Sequence, residues 1–365
     1  MSDNYYAVIM AGGEGSRLWP LSRRARPKQM LPLIEERTLF QIALQRLSAI
    51  FPPERIRVVT SPAQSEELMR QAPELGADNF MLEPEPRGTA AAIGLVAAAL
   101  QFQNPDAVMA VLTADHYIGD EDRFHQYLLA AEQLAEEGAL VTLGIETEYG
   151  ATEYGYIHKG APYKKVSGFD TYKVARFKEK PQKAEAQELH VSGEYAWNSG
   201  MFVWRVDRIM QEFERHMPKL YEGLQAIAAD WAGPQRQQTL ERVWPTVPHQ
   251  TIDYGVMEHA EHVVVIPAKD MQWNDVGNFP ALFDVLAALR DEAGNLDMGQ
   301  KTHKIATRNS LVHSNGSDRL IVTIGVDDLV VIDTGDVLMI CSREHAADVR
   351  QAIRYLKEND MDSYL

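Results

Sequence analysis

The chain has 365 residues, 45% of them hydrophobic and 24% charged, which exceeds one typical domain and allows a sizeable buried core. Its formal charge of 36 − 52 = −16 argues against a nucleic-acid surface or an anionic membrane, so any phosphate site must be a local basic pocket. The single cysteine, Cys341, excludes a disulfide or a thiolate metal site within the chain and reads as a small buried hydrophobe.

No run approaches ~18 apolar residues, and the N-terminus lacks a basic and then apolar leader pattern. A cytoplasmic location with no membrane partner is therefore expected. In chain order, Tyr5–Ala11 is a β-capable apolar run that ends in Gly12, Gly13 and Gly15, with Arg17 close behind. Glycines at such a point allow positive φ and let backbone N–H groups approach a bulky anion. Arg17 and Lys28 add the charge that a polyphosphate needs. The P-loop pattern fails for want of Gly-Lys-Ser/Thr, and the dinucleotide pattern fails at Leu18. A tight turn without a ligand is the plain alternative.

Thr38-Leu39-Phe40-Gln41 predicts a capping box and a helix to about Ile50. Strands are predicted at Ile56–Thr60, Phe80–Glu83, Ala107–Leu112 and Ala139–Ile145. Helices are predicted from Pro62, over Thr89–Gln103 and around Arg123–Glu137. Apolar strands alternating with helices predict a mostly parallel, doubly wound α/β sheet with ligands at the carboxyl ends of its strands. Tyr154–Ile157 is read as preceding a polar turn. Strands are expected near Tyr172–Lys178, Trp197–Trp204 and Val263–Pro267, helices over about Val206–Val243, and another helix over Asn278–Arg290. Texture changes around Asp291–Gly299, which places a large domain at 1–290 and a small one at 291–365. The latter is expected to be short β runs closed by a helix over about Glu344–Glu358, serving packing or subunit contact.

Three polar groups admit two readings each. Asp115, directly after an apolar strand, is either an N-cap or a ligand for a hard cation. Asp275 is a turn former or a second ligand. Lys180, in Phe177-Lys178-Glu179-Lys180-Pro181, is either part of a charged solvent face or a phosphate-binding cation. The eleven histidines form no zinc-hydrolase pattern.

The longer pattern G-x-G-x-R-L-x-P-L-x-x-x-x-x-P-K is met by Gly13, Gly15, Arg17, Leu18, Pro20, Leu21, Pro27 and Lys28. It resembles the signature of the sugar-phosphate nucleotidyltransferases, and its ending Pro27-Lys28-Gln29 resembles the mannose-1-phosphate guanylyltransferases. The segments around Asp115, Lys180, Asn198-Ser199-Gly200, Asp253 and Trp273–Gly277 follow in the family's order. The resemblance implies a Rossmann-like fold and transfer of GMP from GTP to mannose 1-phosphate, with GDP-mannose and pyrophosphate as products. It implies nucleotide contacts from Ala11, Gly12, Gly13, Gly15, Ser16, Arg17, Lys28, Glu83, Gly88, Thr89 and Asp115. Sugar-phosphate contacts would come from Gly155, Glu179, Lys180, Asn198 and Asp253, and Mg²⁺ would be held by Asp115 and Asp275. Arg17, Lys28, Asp115, Lys180 and Asp275 are the implied catalytic set, and a homodimer through the tail is expected. The segment Glu83–Ala91 departs from the family pattern, with Gly88 and Ala91 where Asn and Pro are usual. A manno-heptose 1-phosphate with GTP, glucose 1-phosphate with dTTP or UTP, and a non-catalytic nucleotide-sugar sensor stay open as alternatives.

Overall fold

The computed structural model describes residues 1–13, 15–299, 301–314 and 318–365, so Glu14 of the glycine loop lies outside the described residues. The chain forms two compact units. The first comprises Met1–Gly12, Leu44–Thr113 and Ile118–Trp273, and the second Gly13–Ala43, Ala114–Tyr117 and Asn274–Leu365. In chain order the strands of the first three-quarters are β1 (Tyr5–Met10), β2 (Ile56–Thr60), β3 (Phe80–Leu82), β4 (Val108–Thr113), β5 (Tyr117–Ile118), β6 (Leu140–Glu146), β7 (Tyr156–Val166), β8 (Phe169–Lys178), β9 (Tyr195–Arg205), β10 (Val263–Ala268) and β11 (Trp273–Asn274).

The first unit is built on a nine-stranded sheet of order β3-β2-β1-β4-β9-β6-β10-β8-β7. Strand β1 lies parallel between β2 and β4, with Ile9 opposite Val58 and Leu112. Strand β9 runs against β4 and β6, and β8 against β10 and β7. The other strands share one direction, which is the expected mostly parallel α/β sheet. Near-continuous apolar runs such as Val108–Leu112 suit this because both faces are covered.

Helix α1 (Leu39–Ser48) starts as the capping box predicts. The N–H of Thr38 donates to Gln41 Oε1 at 3.0 Å, and the N–H of Gln41 to Thr38 Oγ1 at 3.2 Å. Helices α2 (Pro62–Gln71), α3 (Thr89–Gln103), α4 (Glu121–Glu136), α5 (Lys183–Ser192), α6 (Val206–His216), α7 (Pro218–Ala229) and α8 (Arg236–Val243) complete the first unit. Ala90 through Leu100 of α3 are all buried, as a helix apolar all round must be. Its small side chains permit close approach: a Cβ added at Gly94 would lie 2.6 Å from Leu224 Cδ1 of α7.

In the second unit α9 (Phe279–Val285) precedes a stack of short strands: β12 (Leu296–Gly299), β13 (Thr302–Ile305), β14 (Leu311–Ser314), β15 (Ile321–Ile324), β16 (Leu329–Asp333) and β17 (Leu338–Ser342). Strands β12, β14 and β16 stack in parallel, as do β13 and β15. Leu296, Leu311 and Val330 thereby fall in one column. Helix α10 (Val349–Glu358) closes the chain. One core joins Leu296, Leu311, Val330 and Ile332 to Phe279, Phe283, Leu18, Leu31 and Leu33. The segment that follows the glycine loop is thus packed on the C-terminal strands.

Candidate active site

The loop after β1 turns at Gly15, which has φ 61. A Cβ there would lie 2.2 Å from Lys28 Cβ and 2.8 Å from Lys28 N, so this position requires glycine by contact as well as by conformation. Two side chains fasten the loop. Ser22 Oγ donates to the Gly15 carbonyl at 2.7 Å, and Gln29 Nε2 donates to the Gly13 carbonyl at 3.1 Å. Ser16 is exposed beside them.

Lys28 is buried, and its ammonium uses two of its three donors on protein partners. It donates to Asp115 Oδ2 at 2.8 Å and to the main-chain carbonyl of Asp275. Arg17 Nη2 lies 3.6 Å from Asp275 Oδ2. Within the second unit, then, Gly15, Arg17, Lys28, Asp115 and Asp275 come together although they are far apart in sequence. Burial opposes ionisation of Asp115, but the charges of Lys28, His116 and Arg17 outweigh it and hold the carboxyl below its ordinary value. Asp275 sits in a tight turn: Asn274 Oδ1 accepts from Val276 N at 2.7 Å, and Asp275 Oδ1 from Gly277 N at 2.9 Å. Val276 has φ 47, an uncommon state for a β-branched residue, and its side chain is fully buried in the core just described.

Two carboxylates beside two cations suit a hard divalent ion, which typically takes one or two protein carboxylates and completes its shell with phosphate oxygens and water. Asp115 and Asp275 fit that role. Among the described residues no group of three or more metal-ligating side chains occurs.

In the first unit a second set assembles. Asn198 Nδ2 donates to Asp253 Oδ1 at 2.7 Å, and Asn198 N to the Gly155 carbonyl at 2.8 Å. A Cβ at Gly155 would lie 2.4 Å from Glu179 Oε2, so the missing side chain makes room for that carboxylate. Asp253 opens a π-helical turn, Asp253–Met257. Burial, with the charge of Glu179 nearby, pushes its carboxyl above the ordinary value despite the Asn198 hydrogen bond. Lys180, 64% exposed, pairs with Glu179 at 3.0 Å.

The Glu83–Thr89 segment lies in the same unit. Gly88 has φ 82, and a Cβ there would meet the Gln250 carbonyl at 2.4 Å. The departure from the family's Asn therefore has a local reason, the close approach of Gln250. Thr89 Oγ1 accepts from Ile252 N at 2.9 Å, tying the start of α3 to the stretch that carries Asp253. At the end of β1, the Ala11 carbonyl accepts from Thr60 Oγ1 at 3.1 Å. A Cβ at Gly12 would lie 3.5 Å from Glu83 Oε2, so Gly12 leaves space beside that carboxyl.

Glu83 is buried, and its Oε1 has no hydrogen-bond partner among the described residues. Burial pushes the carboxyl up to about 7 from an ordinary 4.5, partly opposed by a hydrogen bond from the Arg87 backbone. A raised carboxyl keeps its proton in the folded state where the unfolded chain has lost it. Stability therefore falls as pH rises from about 4.5 to about 7, by roughly 3 kcal/mol in all. Glu83→Gln is expected to raise Tm near pH 8 and hardly at all near pH 4. An equal shift at both pH values would mean that the gain has another origin.

Sequence reading missed a group of rings. Tyr154 lies 5.1 Å from Trp197 and 5.4 Å from Trp273, and Tyr149 lies 5.0 Å from Trp197, measured between centroids. The available signal was adjacency, since Tyr154 precedes Gly155 and Trp197 precedes Asn198.

The nucleotidyl transferase family matches residues 6–292, and a MannoseP isomerase/GMP-like beta-helix domain matches 302–356. Mannose-1-phosphate guanylyltransferases of Klebsiella pneumoniae and Escherichia coli are each 37% identical over 361 residues, 98% of this chain and 75% of each relative. A solved Thermus thermophilus protein, described as a mannose-1-phosphate geranyltransferase, is 37% identical with a TM-score of 0.85. That match covers 97% of this chain and 99% of the other. The chain belongs to the nucleotidyl transferase family.

Proposed function

We propose that the protein transfers GMP from GTP to mannose 1-phosphate, giving GDP-mannose and pyrophosphate. The observation that carries this reading is Lys28, buried against the glycine turn while holding Asp115 and the Asp275 backbone. That is a corner of two cations and two carboxylates, suited to a polyphosphate with a divalent ion and unsuited to an acyl or hydride transfer. The guanylyltransferase relatives at 37% identity support guanine and mannose over the other pairings.

The sugar phosphate oxygen attacks the α-phosphorus of GTP, the bond to the bridging oxygen breaks, and pyrophosphate leaves in line. No protein nucleophile is needed, only positioning and charge stabilisation. Arg17 and the loop amides around Gly13 and Gly15 hold the triphosphate. Lys28 neutralises charge near the α-phosphate, and Glu83, with Ala11, Gly12, Gly88 and Thr89, frames the base end. Asn198, Asp253, Gly155 and Glu179 orient the sugar, and Lys180 places its phosphate. Asp115 and Asp275 would hold Mg²⁺, which supplies charge stabilisation to the phosphate oxygens when bound.

Pyrophosphate release across a panel of nucleotides and sugar 1-phosphates tests the reading. GTP with mannose 1-phosphate is expected to exceed every pairing of UTP, dTTP or ATP. Faster turnover of dTTP with glucose 1-phosphate would make the guanylyl assignment wrong. Lys180→Ala is expected to raise KM for mannose 1-phosphate roughly tenfold with a smaller change for GTP, as loss of one charge-assisted hydrogen bond implies. Equal losses for both substrates would make Lys180 an ordinary solvent cation.

A further inference from the structure

We propose that residues 361–365 form a strap that sets the conformation of the glycine-loop segment, with Trp19 and Arg23 as positioning residues for the nucleotide. The link to the nucleotide rests on the roles proposed above for Arg17 and Lys28, between which the strapped stretch 19–24 lies in sequence. Every contact involved falls within the second unit.

Trp19 is 8% exposed and packs with Val349 and Leu356 of α10, and Tyr364 and Leu365 lie against the same cluster. A buried indole N–H needs an acceptor. Trp19 Nε1 donates to the main-chain carbonyl of Tyr364 at 2.6 Å, and Arg23 Nη1 donates to the same carbonyl. One residue on, the Arg24 N–H donates to the Leu365 main-chain oxygen at 3.0 Å. Arg23 is anchored on its other side, with Nη2 3.0 Å from Asp336 Oδ1 and 3.1 Å from Thr334 Oγ1. The Arg24–Asp362 pair at 3.1 Å is exposed and adds little.

Apolar packing alone would let the tail slide along α10. Three directional bonds onto two consecutive residues fix its register against 19–24 instead. From there the constraint passes to the loop through main-chain contacts. The Trp19 N–H donates to the Ser16 carbonyl at 3.2 Å, beside Arg17, and Ser22 Oγ holds the Gly15 carbonyl. Arg23 and Arg26 exchange main-chain hydrogen bonds of 3.0 Å each, in a turn that leads directly into Pro27 and Lys28. The segment is thus tied on both sides of the strap. A loop that samples other conformations binds its ligand with an affinity reduced by the competent fraction, and the strap raises that fraction.

The test compares the full chain with two variants. One lacks 362–365. The other is Trp19→Phe, which keeps an aromatic ring in the cluster and removes the indole donor. Amide hydrogen exchange over 15–30, measured without ligand, is expected to quicken about tenfold in the deletion and about threefold in Trp19→Phe, with β1 and β4 unchanged. KM for GTP is expected to rise by the same factors, as the loss of two hydrogen bonds or one implies. KM for mannose 1-phosphate is expected to change less than twofold, because its proposed contacts belong to the first unit. A merely structural role would lower the active fraction, hence kcat, and leave both KM values alone. Should the deletion fail to fold, Trp19→Phe carries the test. Unchanged exchange over 15–30, or equal changes in both KM values, would overturn the proposal. Absence of GTP turnover in the unaltered chain would overturn the functional reading and with it the link to the nucleotide, while the exchange measurement still decides whether the strap exists.

Discussion

Asp115→Asn and Asp275→Asn are each expected to lose on the order of 10²–10³ in kcat while remaining folded. Each change keeps side-chain shape and an acceptor oxygen, so Lys28 still finds a partner at position 115 and Gly277 N at position 275. What disappears is the negative charge that a divalent ion requires. Because Lys28 touches both segments, the two aspartates form one electrostatic unit. The double mutant should therefore be much less than multiplicatively worse than either single mutant. Mg²⁺ dependence measured in all three variants checks this. Fully multiplicative losses would mean that the carboxylates act independently, and near-normal turnover in Asp275→Asn would leave that residue a turn former.

Removing 295–365 is expected to abolish activity and solubility together, although it deletes none of the residues proposed for GMP transfer. The deletion strips Leu296, Leu311, Val330 and Ile332 from the core that also contains Leu18, Leu31 and Leu33. At about 1.5–3 kcal/mol for each buried aliphatic side chain, the loss is roughly 6–12 kcal/mol, comparable with the whole stability of a domain. Leu18 and Leu31 bracket Lys28 in sequence, so the segment carrying the key cation loses its support. Size-exclusion chromatography and turnover on the same preparation test the point. A monodisperse, active truncation would show that residues 13–43 hold their conformation without the tail.

Much of the architecture was legible because its signals are local. The apolar run Val108–Leu112, the Thr38–Gln41 cap and the alanine-rich stretch from Thr89 to Gln103 each carry their own periodicity or cap. Strand β7 was less visible because Lys159, Gly160, Pro162 and Lys164 interrupt it. It is the partner of β8, with which it forms a long, half-exposed hairpin, so no continuous apolar run marks it. Strands β12 and β13 are four residues each and gain their stability from stacking in register on β14 and β15, which no short window reveals. The glycine loop and its arginine and lysine could be picked out, but not that Gly15 is pressed against Lys28. Nor could a local pattern show that Lys28 reaches a carbonyl 275 − 28 = 247 positions away. Gly88 is similar: the backbone that crowds it is at Gln250, 250 − 88 = 162 positions further along the chain.

The most direct test of the account is the stereochemical course of GMP transfer. With one diastereomer of GTPαS and mannose 1-phosphate, a single in-line displacement by the sugar phosphate predicts GDP-mannose αS with inverted configuration at the α-phosphorus. Retention would require two displacements through a guanylylated side chain, and would contradict the assignment of Lys28, Asp115 and Asp275 to positioning and charge alone.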